Sequence, residues 1–245
     1  MAAKTGVAKS RAKPARKPGR HGLGWWLARL LAAAVIIPLV QVAIYRFVPP
    51  PVTLLMAERS IQGQGLDYRW RPLSQISPDL VQAAIGSEDA RFCLHHGFDW
   101  LAMQKALKHD ERRPNRLKGG STISQQTAKN VFLWPGRDWA RKGLEAGYTA
   151  LIEPLWGKRR IMEVYLNVVE FGPGIYGAEA ASQRFFHEPA SRLSPAQAAA
   201  LAAVLPKPLS WRAAAPQGYV ARRVRRVGGA EMIVRDDGLA ACVLR

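Results

Sequence analysis

The run from Trp25 to Phe47, WWLARLLAAAVIIPLVQVAIYRF, constrains this chain more than any other stretch. As a helix it spans about 34 Å, which matches the hydrocarbon core of a bilayer. It is apolar on every side and follows directly on a basic tail, which favours a membrane span over a buried core helix. Arg29 and Arg46 stand near its two ends, where long cationic side chains can snorkel, and Trp25, Trp26 and Tyr45 suit the headgroup boundary. A cleaved signal peptide has a shorter apolar region and a small-x-small site, whereas this run ends in Arg46 and Pro49 to Pro51. Residues 25–47 therefore read as an uncleaved transmembrane helix.

Residues 1–24 form the basic tail before it. The first twenty carry seven Lys or Arg and no acid. Such a segment builds no core, and by the positive-inside rule it stays in the cytoplasm, so everything after Pro51 faces outward. Over the whole chain 36 Lys and Arg stand against 18 Asp and Glu, a net charge of +18. An anionic partner is implied, and charge alone leaves nucleic acid, acidic lipid and phosphorylated substrate open. Cys93 and Cys242 show no CxxC or zinc spacing. They are expected to be separate structural residues rather than a disulfide.

Residues 48–72 lack a long helical period and read as a connecting segment with a short strand. Helix signals then dominate and strand signals are scarce, so the fold class is mainly α. Ser77-Pro78-Asp79 starts a helix that delivers Glu88 and Asp89 near its end. A second helix opens at Ser121 after Gly119-Gly120 and runs to Phe132; its first N–H groups could face an anion. Asp138 caps a third, from Trp139 to about Glu153, with Pro154 as its stop. Residues 158–169 show the apolar spacing of a fourth, led by Lys158, Arg159 and Arg160, cations that oppose the helix dipole and need another reason to be there. Ser194-Pro195-Ala196-Gln197 is a capping box opening an Ala-rich helix. Residues 210–245 are basic and carry no recognisable motif.

Four polar clusters stand where a plain helical domain would not need them. They are Glu88-Asp89-x-x-Phe92-x-x-His95-x-Gly97; Gly119-Gly120-Ser121-Thr122-Ile123-Ser124-Gln125-Gln126 with Lys129-Asn130; Arg141-Lys142-x-x-Glu145-Ala146; and Lys158-x-x-Ile161-x-Glu163-x-Tyr165-Leu166-Asn167. In this order they resemble the family 51 glycosyltransferases, the peptidoglycan glycosyltransferases. The likeness covers residues 73–209, and the glycine-to-asparagine string is its most specific part.

The resemblance implies a lysozyme-like lobe with a smaller membrane-facing lobe. It also implies transfer of a glycan chain from an undecaprenyl diphosphate donor to the 4-hydroxyl of lipid II, with inversion at the anomeric carbon. Glu88 matches the base and Glu145 a second catalytic carboxylate that orients cations or holds a divalent ion. Asp89, Phe92, His95, Gly119, Gly120, Ser121, Thr122, Gln125, Gln126, Lys129, Asn130, Arg141, Lys142 and Lys158 match substrate-binding positions. No cofactor is required; Mg²⁺ or Mn²⁺ at the diphosphate is compatible, but no ligand set demands it. The implied partners are lipid II, the nascent glycan strand, the membrane and cell-wall synthases, with no nucleic acid. The implied location is a bacterial inner membrane, with the catalytic domain in the periplasm.

Two rivals remain. A lysozyme-like hydrolase also needs two acids, but hydrolysis of a polymer has no anionic leaving group for the cations to meet. A basic binding protein without chemistry does not need the ordered glycine-glutamine-lysine string.

The charge asymmetry makes a direct expectation. A phosphatase fused after Arg245 is active in cells and a cytoplasmic reporter at the same place is silent; the reverse pattern contradicts the outward orientation.

Overall fold

A computed structural model describes residues 22–112, 120–136 and 138–245. The tail up to His21, and Gly119, lie outside the described residues. Helix α1, Leu23–Phe47, is long and apolar enough to cross a membrane. The chain divides into two compact units at Pro38, inside this helix. In the first unit Leu27, Leu30, Leu31, Val35, Ile36 and Ile37 are all exposed, as lipid-facing side chains are.

The second unit begins with the last turns of α1, which dock on residues far along the chain. Tyr148 Oη donates to Gln41 Oε1 at 2.6 Å and Trp156 Nε1 to the Val42 carbonyl at 2.8 Å. Arg160 Nη2 donates to the carbonyls of Tyr45 at 2.9 Å and Val48 at 3.1 Å. Helix ends leave carbonyls without helical partners, and Arg160 supplies them with a cation.

Helix α2, Leu54–Ile61, comes next, capped by Thr53, and then strand β1, Asp67–Tyr68. The expected strand is present, but the segment also holds a helix. At eight residues it is too short to display a period, and its start lies in the local bond from the Met56 N–H to Thr53 Oγ1. Helix α3, Pro78–Glu88, starts at the Ser77 cap as expected. Helix α4, Trp100–Arg112, had no counterpart in the elements expected from the sequence. Helix α5, Ile123–Phe132, has Thr122 as N-cap.

Helix α6, Trp139–Val168, consists of two helical stretches that meet at a break at Gly157, which matches the two helices expected there. Asp138 caps it as anticipated, but Pro154 does not stop it. The chain stays helical to Trp156 and departs only at Gly157, with φ 70° and ψ 167°, which glycine adopts without a Cβ clash. A proline removes one N–H, and buried Ile152 and Trp156 on either side hold the turn in place.

Strands β2, Glu170–Gly172, and β3, Ile175–Tyr176, complete a small sheet of order β1-β3-β2, with β1 parallel and β2 antiparallel to β3. Helix α7, Gly177–Phe186, and helix α8, Pro195–Val204, come after the sheet; α8 has the expected Ser194–Gln197 capping box. The uncharted C-terminal segment is a long helix α9, Gly218–Asp236, and a short α10, Ala241–Leu244.

The core joins α3, α8 and α9 on one side and α5 lying along α6 on the other. Gly86 in α3 permits the first contact. A Cβ there would meet the Ala230 backbone of α9 at 2.9 Å, so any larger residue pushes the helices apart.

The expectation of separate cysteines is wrong. Cys93 and Cys242 form a disulfide with Cα atoms 5.6 Å apart, across 149 positions of sequence. Spacing could not show it, because α9 must first fold back on α3 and α8 to bring α10 beside the turn Phe92–Leu94. Buried Val243 and the bond from Arg159 Nη1 to its carbonyl, 2.7 Å, seat the same helix.

A crosslink closing so long a loop contributes about 2–5 kcal/mol in chain-entropy terms. Cys242→Ser is expected to lower the thermal midpoint of the detergent-solubilised protein by several degrees, read by circular dichroism. An unchanged midpoint contradicts a closed crosslink.

Candidate active site

The site grows from the junction of α3 and α5. Helix α3 ends at Glu88, and Asp89 is its C-cap. Asp89 is buried, and Oδ2 accepts the N–H of Ile123, the first residue of α5, at 3.0 Å. Both its oxygens also lie 3.0 Å from His95 Nε2. A carboxylate at a helix N-terminus offsets the positive end of the helix dipole. Thr122 closes the junction: Oγ1 donates to the Gly97 carbonyl at 2.6 Å and accepts from the Gln125 N–H at 3.2 Å. Gly97 has φ +88°, and a Cβ there would meet Thr149 Cγ2 at 2.8 Å, so the close approach needs glycine.

One expectation is corrected here. The first amides of α5 do not face a bound anion. Thr122 N–H goes to Gln125 Oε1, Ile123 N–H to Asp89 and Gln125 N–H to Thr122.

Two clefts open on either side of this junction. The smaller, about 290 Å³, is lined by Glu88, Asp89, Gly120, Ser121 and Thr122 together with Arg91, Asp99 and Lys105. The larger, about 340 Å³, is lined by Gln126, Lys129 and Asn130 with Arg59, Trp134, Glu170 and Pro206. Gln126 belongs to the larger cleft, and its Nε2 donates to Glu88 Oε2 at 3.1 Å. The Glu88–Gln126 pair is thus the seam between the clefts.

On its other oxygen Glu88 faces Arg223 of α9, with Nη2 at 3.5 Å. Burial pushes the Glu88 carboxyl above its ordinary value; Gln126 and then Arg223 pull it back, Asp89 adds to the rise and Lys129 opposes it. Tyr165 donates to Gln126 Oε1 at 3.4 Å. Burial first, then Glu88 and Asp89, raise its phenol well above the usual range, so it stays protonated as a donor.

Glu145 lies nearly two turns into α6. Oε2 accepts from Arg141 Nη1 at 2.9 Å and Oε1 pairs with Lys142 Nζ, which also reaches Ser121 Oγ at 3.4 Å. Its two oxygens are therefore committed to cations. These contacts fit the first of the two roles expected for Glu145, orienting the cations. Arg141 and Glu145 are both buried and Lys142 is half exposed; none of the three lines either cleft, and Lys142 meets the smaller one only through Ser121.

Phe92, His95, Gln125 and Lys158 line neither cleft. Phe92 is fully buried, Gln125 caps α5, and Lys158 lies 2.8 Å from Glu153 and 4.5 Å from the Phe92 ring centroid. Ser124 Oγ donates to the same Glu153 at 2.5 Å. This strut explains the cations before the 158–169 segment. Lys158 ties three of the motifs together, Arg159 holds α10 and Arg160 holds the end of α1. Glu163 and Asn167 are structural too, accepting the N–H groups of Leu73 at 3.0 Å and Arg71 at 2.8 Å.

Sequence reasoning missed Arg223, Arg59 and Glu170. Arg223 had only the basic run 222–226 as a signal, and Arg59 sat in the segment taken for a connector.

A transglycosylase family profile matches residues 57–231. The biosynthetic peptidoglycan transglycosylase of Caulobacter vibrioides is 57% identical over 217 residues, covering 89% of this chain and 94% of that protein. Its counterpart from Rhodospirillum centenum is 53% identical over 219 residues, with coverage of 89% and 94%. That of Salmonella paratyphi B is 49% identical over 225 residues, with coverage of 86% and 93%. The chain belongs to the transglycosylase family, whose domain is lysozyme-like. It is a peptidoglycan glycosyltransferase. The match extends beyond the 73–209 expected from the motifs and takes in most of α2 and α9.

Lys129 and Arg141 separate by their surroundings. Lys129→Ala is expected to cut polymerisation at least tenfold with an unchanged melt. Arg141→Ala also lowers the melting temperature, because buried Glu145 keeps only Lys142. Paired activity and circular dichroism measurements check both, and full activity of Lys129→Ala contradicts a substrate role.

Proposed function

We propose that this chain extends glycan strands at the outer face of a bacterial inner membrane, using Glu88 as the base. The donor is a strand on undecaprenyl diphosphate and the acceptor is the 4-hydroxyl of lipid II. Glu88 takes the hydroxyl proton as the oxygen attacks the anomeric carbon. The carbon–phosphate oxygen bond breaks from the opposite side, and undecaprenyl diphosphate leaves. A bond of α configuration is thereby replaced by a β one.

The observation that carries this reading is the partly buried carboxylate at the seam of two clefts, one of them lined by Lys129 and Arg59. The larger cleft suits the donor diphosphate, where fixed cations meet the charge that accumulates as the bond breaks. The smaller suits the acceptor, with Lys142 reaching Ser121 on its lining. Burial raises the Glu88 carboxyl above its ordinary value, and a raised carboxylate is the stronger base. None of these steps is routed through a divalent ion.

The setting is set by the anchor. Helix α1 spans the membrane once with the tail inside. The disulfide suits an oxidising compartment such as the periplasm. Exposed Trp100, Leu101, Leu107, Trp134 and Trp139 suit a smaller lobe resting on the bilayer, close to where a lipid-linked substrate arrives. Cell-wall synthases working on the same strands are the natural protein partners.

Glu88→Gln keeps the shape and the Gln126 contact but cannot accept a proton. General-base contributions are about 10²–10⁴-fold, so lipid II consumption is expected to fall at least a hundredfold at matched folded protein. A variant within tenfold of the parent removes Glu88 from the chemistry.

A further inference from the structure

The position of Arg223 is built rather than incidental. Its Nε donates at 2.9 Å to the Ala203 carbonyl, one of the last carbonyls of α8 and therefore without a helical partner. The guanidinium carbon lies 5.8 Å from the Trp211 ring centroid. With those two contacts holding the fork, Nη2 is left at 3.5 Å from Glu88 Oε1. Arg223 is only partly exposed, with 17% of its side chain accessible, against 12% for Glu88, so solvent does little to screen the pair. The approach depends on the Gly86 contact, which lets α9 cross α3 near the end that carries Glu88.

We propose that Arg223 is a positioning residue that keeps Glu88 ionised and aimed at the acceptor, and so sets the acid limit of the reaction. This rests on Glu88 being the base.

The groups facing Glu88 define what Arg223 does. Asp89 comes from the end of α3, Gln126 and Lys129 from α5, Tyr165 from α6 and Arg223 from α9. Gln126 is neutral and Tyr165 stays protonated. Asp89 repels a second negative charge, and burial works in the same direction. Lys129 lies in the cleft proposed for the diphosphate, so its charge is shared with the substrate once the donor is bound. Arg223 is not among the residues lining either cleft, so its charge remains with Glu88 throughout the cycle. One neighbouring opposite charge lowers a carboxyl pKa by about one to three units.

Glu88 is active as the base only when deprotonated, so activity is lost as pH falls through its pKa. Removing the Arg223 charge raises that pKa and moves the loss to higher pH.

The test is the pH dependence of kcat/KM for the full-length, detergent-solubilised protein with lipid II. Arg223→Gln is expected to move the acid limb up by about one unit or more, with activity recovering toward the parental plateau on the alkaline side. Arg223→Lys retains a cation and is expected to keep the limb within about half a unit. Arg222→Gln, which removes an exposed charge from the same helix, is expected to leave the profile unchanged.

A purely structural Arg223 that caps α8 gives another pattern: equal loss at every pH in the Gln variant, with the limb in place. That result overturns the proposal, as does a Lys variant whose limb moves as far as that of Gln. If the Gln variant does not fold, the Lys profile decides alone. An inactive Glu88→Gln beside an unshifted Arg223→Gln overturns only the Arg223 role, whereas an active Glu88→Gln removes the base itself.

Discussion

The Asp89 carboxylate is the contact on which the rest of the site depends. It receives the first amide of α5 and the His95 ring at once, so the end of one helix is fastened to the start of another. Hydrogen bonds to a charged group contribute about 1.5–3 kcal/mol each, and these are made where water is excluded. Once α5 begins there, helical geometry sets the direction of every later side chain on it. Gln126, Lys129 and Asn130 fall at intervals of three and four residues and line one cleft together. The same junction fixes Glu88, one residue earlier, in reach of Gln126. Two adjacent acids thus differ in surroundings, the inner one holding the architecture and the outer one left at the seam of the two clefts.

A second layer of constraint comes from far along the chain. Glu153 takes Ser124 on one side and Lys158 on the other, and Lys158 lies over the Phe92 ring, so the α5 helix, the α6 kink and the turn after Asp89 are bound as one body. The C-terminal helices close the other side. Helix α9 brings Arg223 to Glu88, and the Cys93–Cys242 bond pins α10 to the turn between Asp89 and His95. Residues that look like a basic trailing segment therefore brace Glu88 and the turn after Asp89 from behind the clefts.

How much of the fold was legible in the sequence depends on the range of the interactions. The Ser77, Asp138 and Ser194 caps were readable because a cap and its amide lie within three residues. The long apolar helix α1 was readable because composition alone specifies it. The family was readable from strings such as Gly120 to Asn130, whose members share one helix and its start. The features that escaped depend on distant partners. The disulfide needs α9 to fold back first, and Arg223 meets Glu88 across 135 positions. Arg159 and Arg160 have partners more than eighty residues away, so the sequence showed that they needed a reason to be there and not what it was. The N-terminus of α5 misled in another way. Its amides suggested an anion site, but the anion is the protein's own Asp89.

A peptidoglycan glycosyltransferase joins sugars rather than cutting them, and the displacement proposed at Glu88 does so with inversion. The most direct measurement is to incubate the purified full-length protein with labelled lipid II and then treat the products with lysozyme, which cleaves only β-linked strands. The expected result is a polymer that forms with release of undecaprenyl diphosphate and is digested completely. Lipid II left unconsumed, release of free sugars without polymer, or a polymer that resists lysozyme would contradict it.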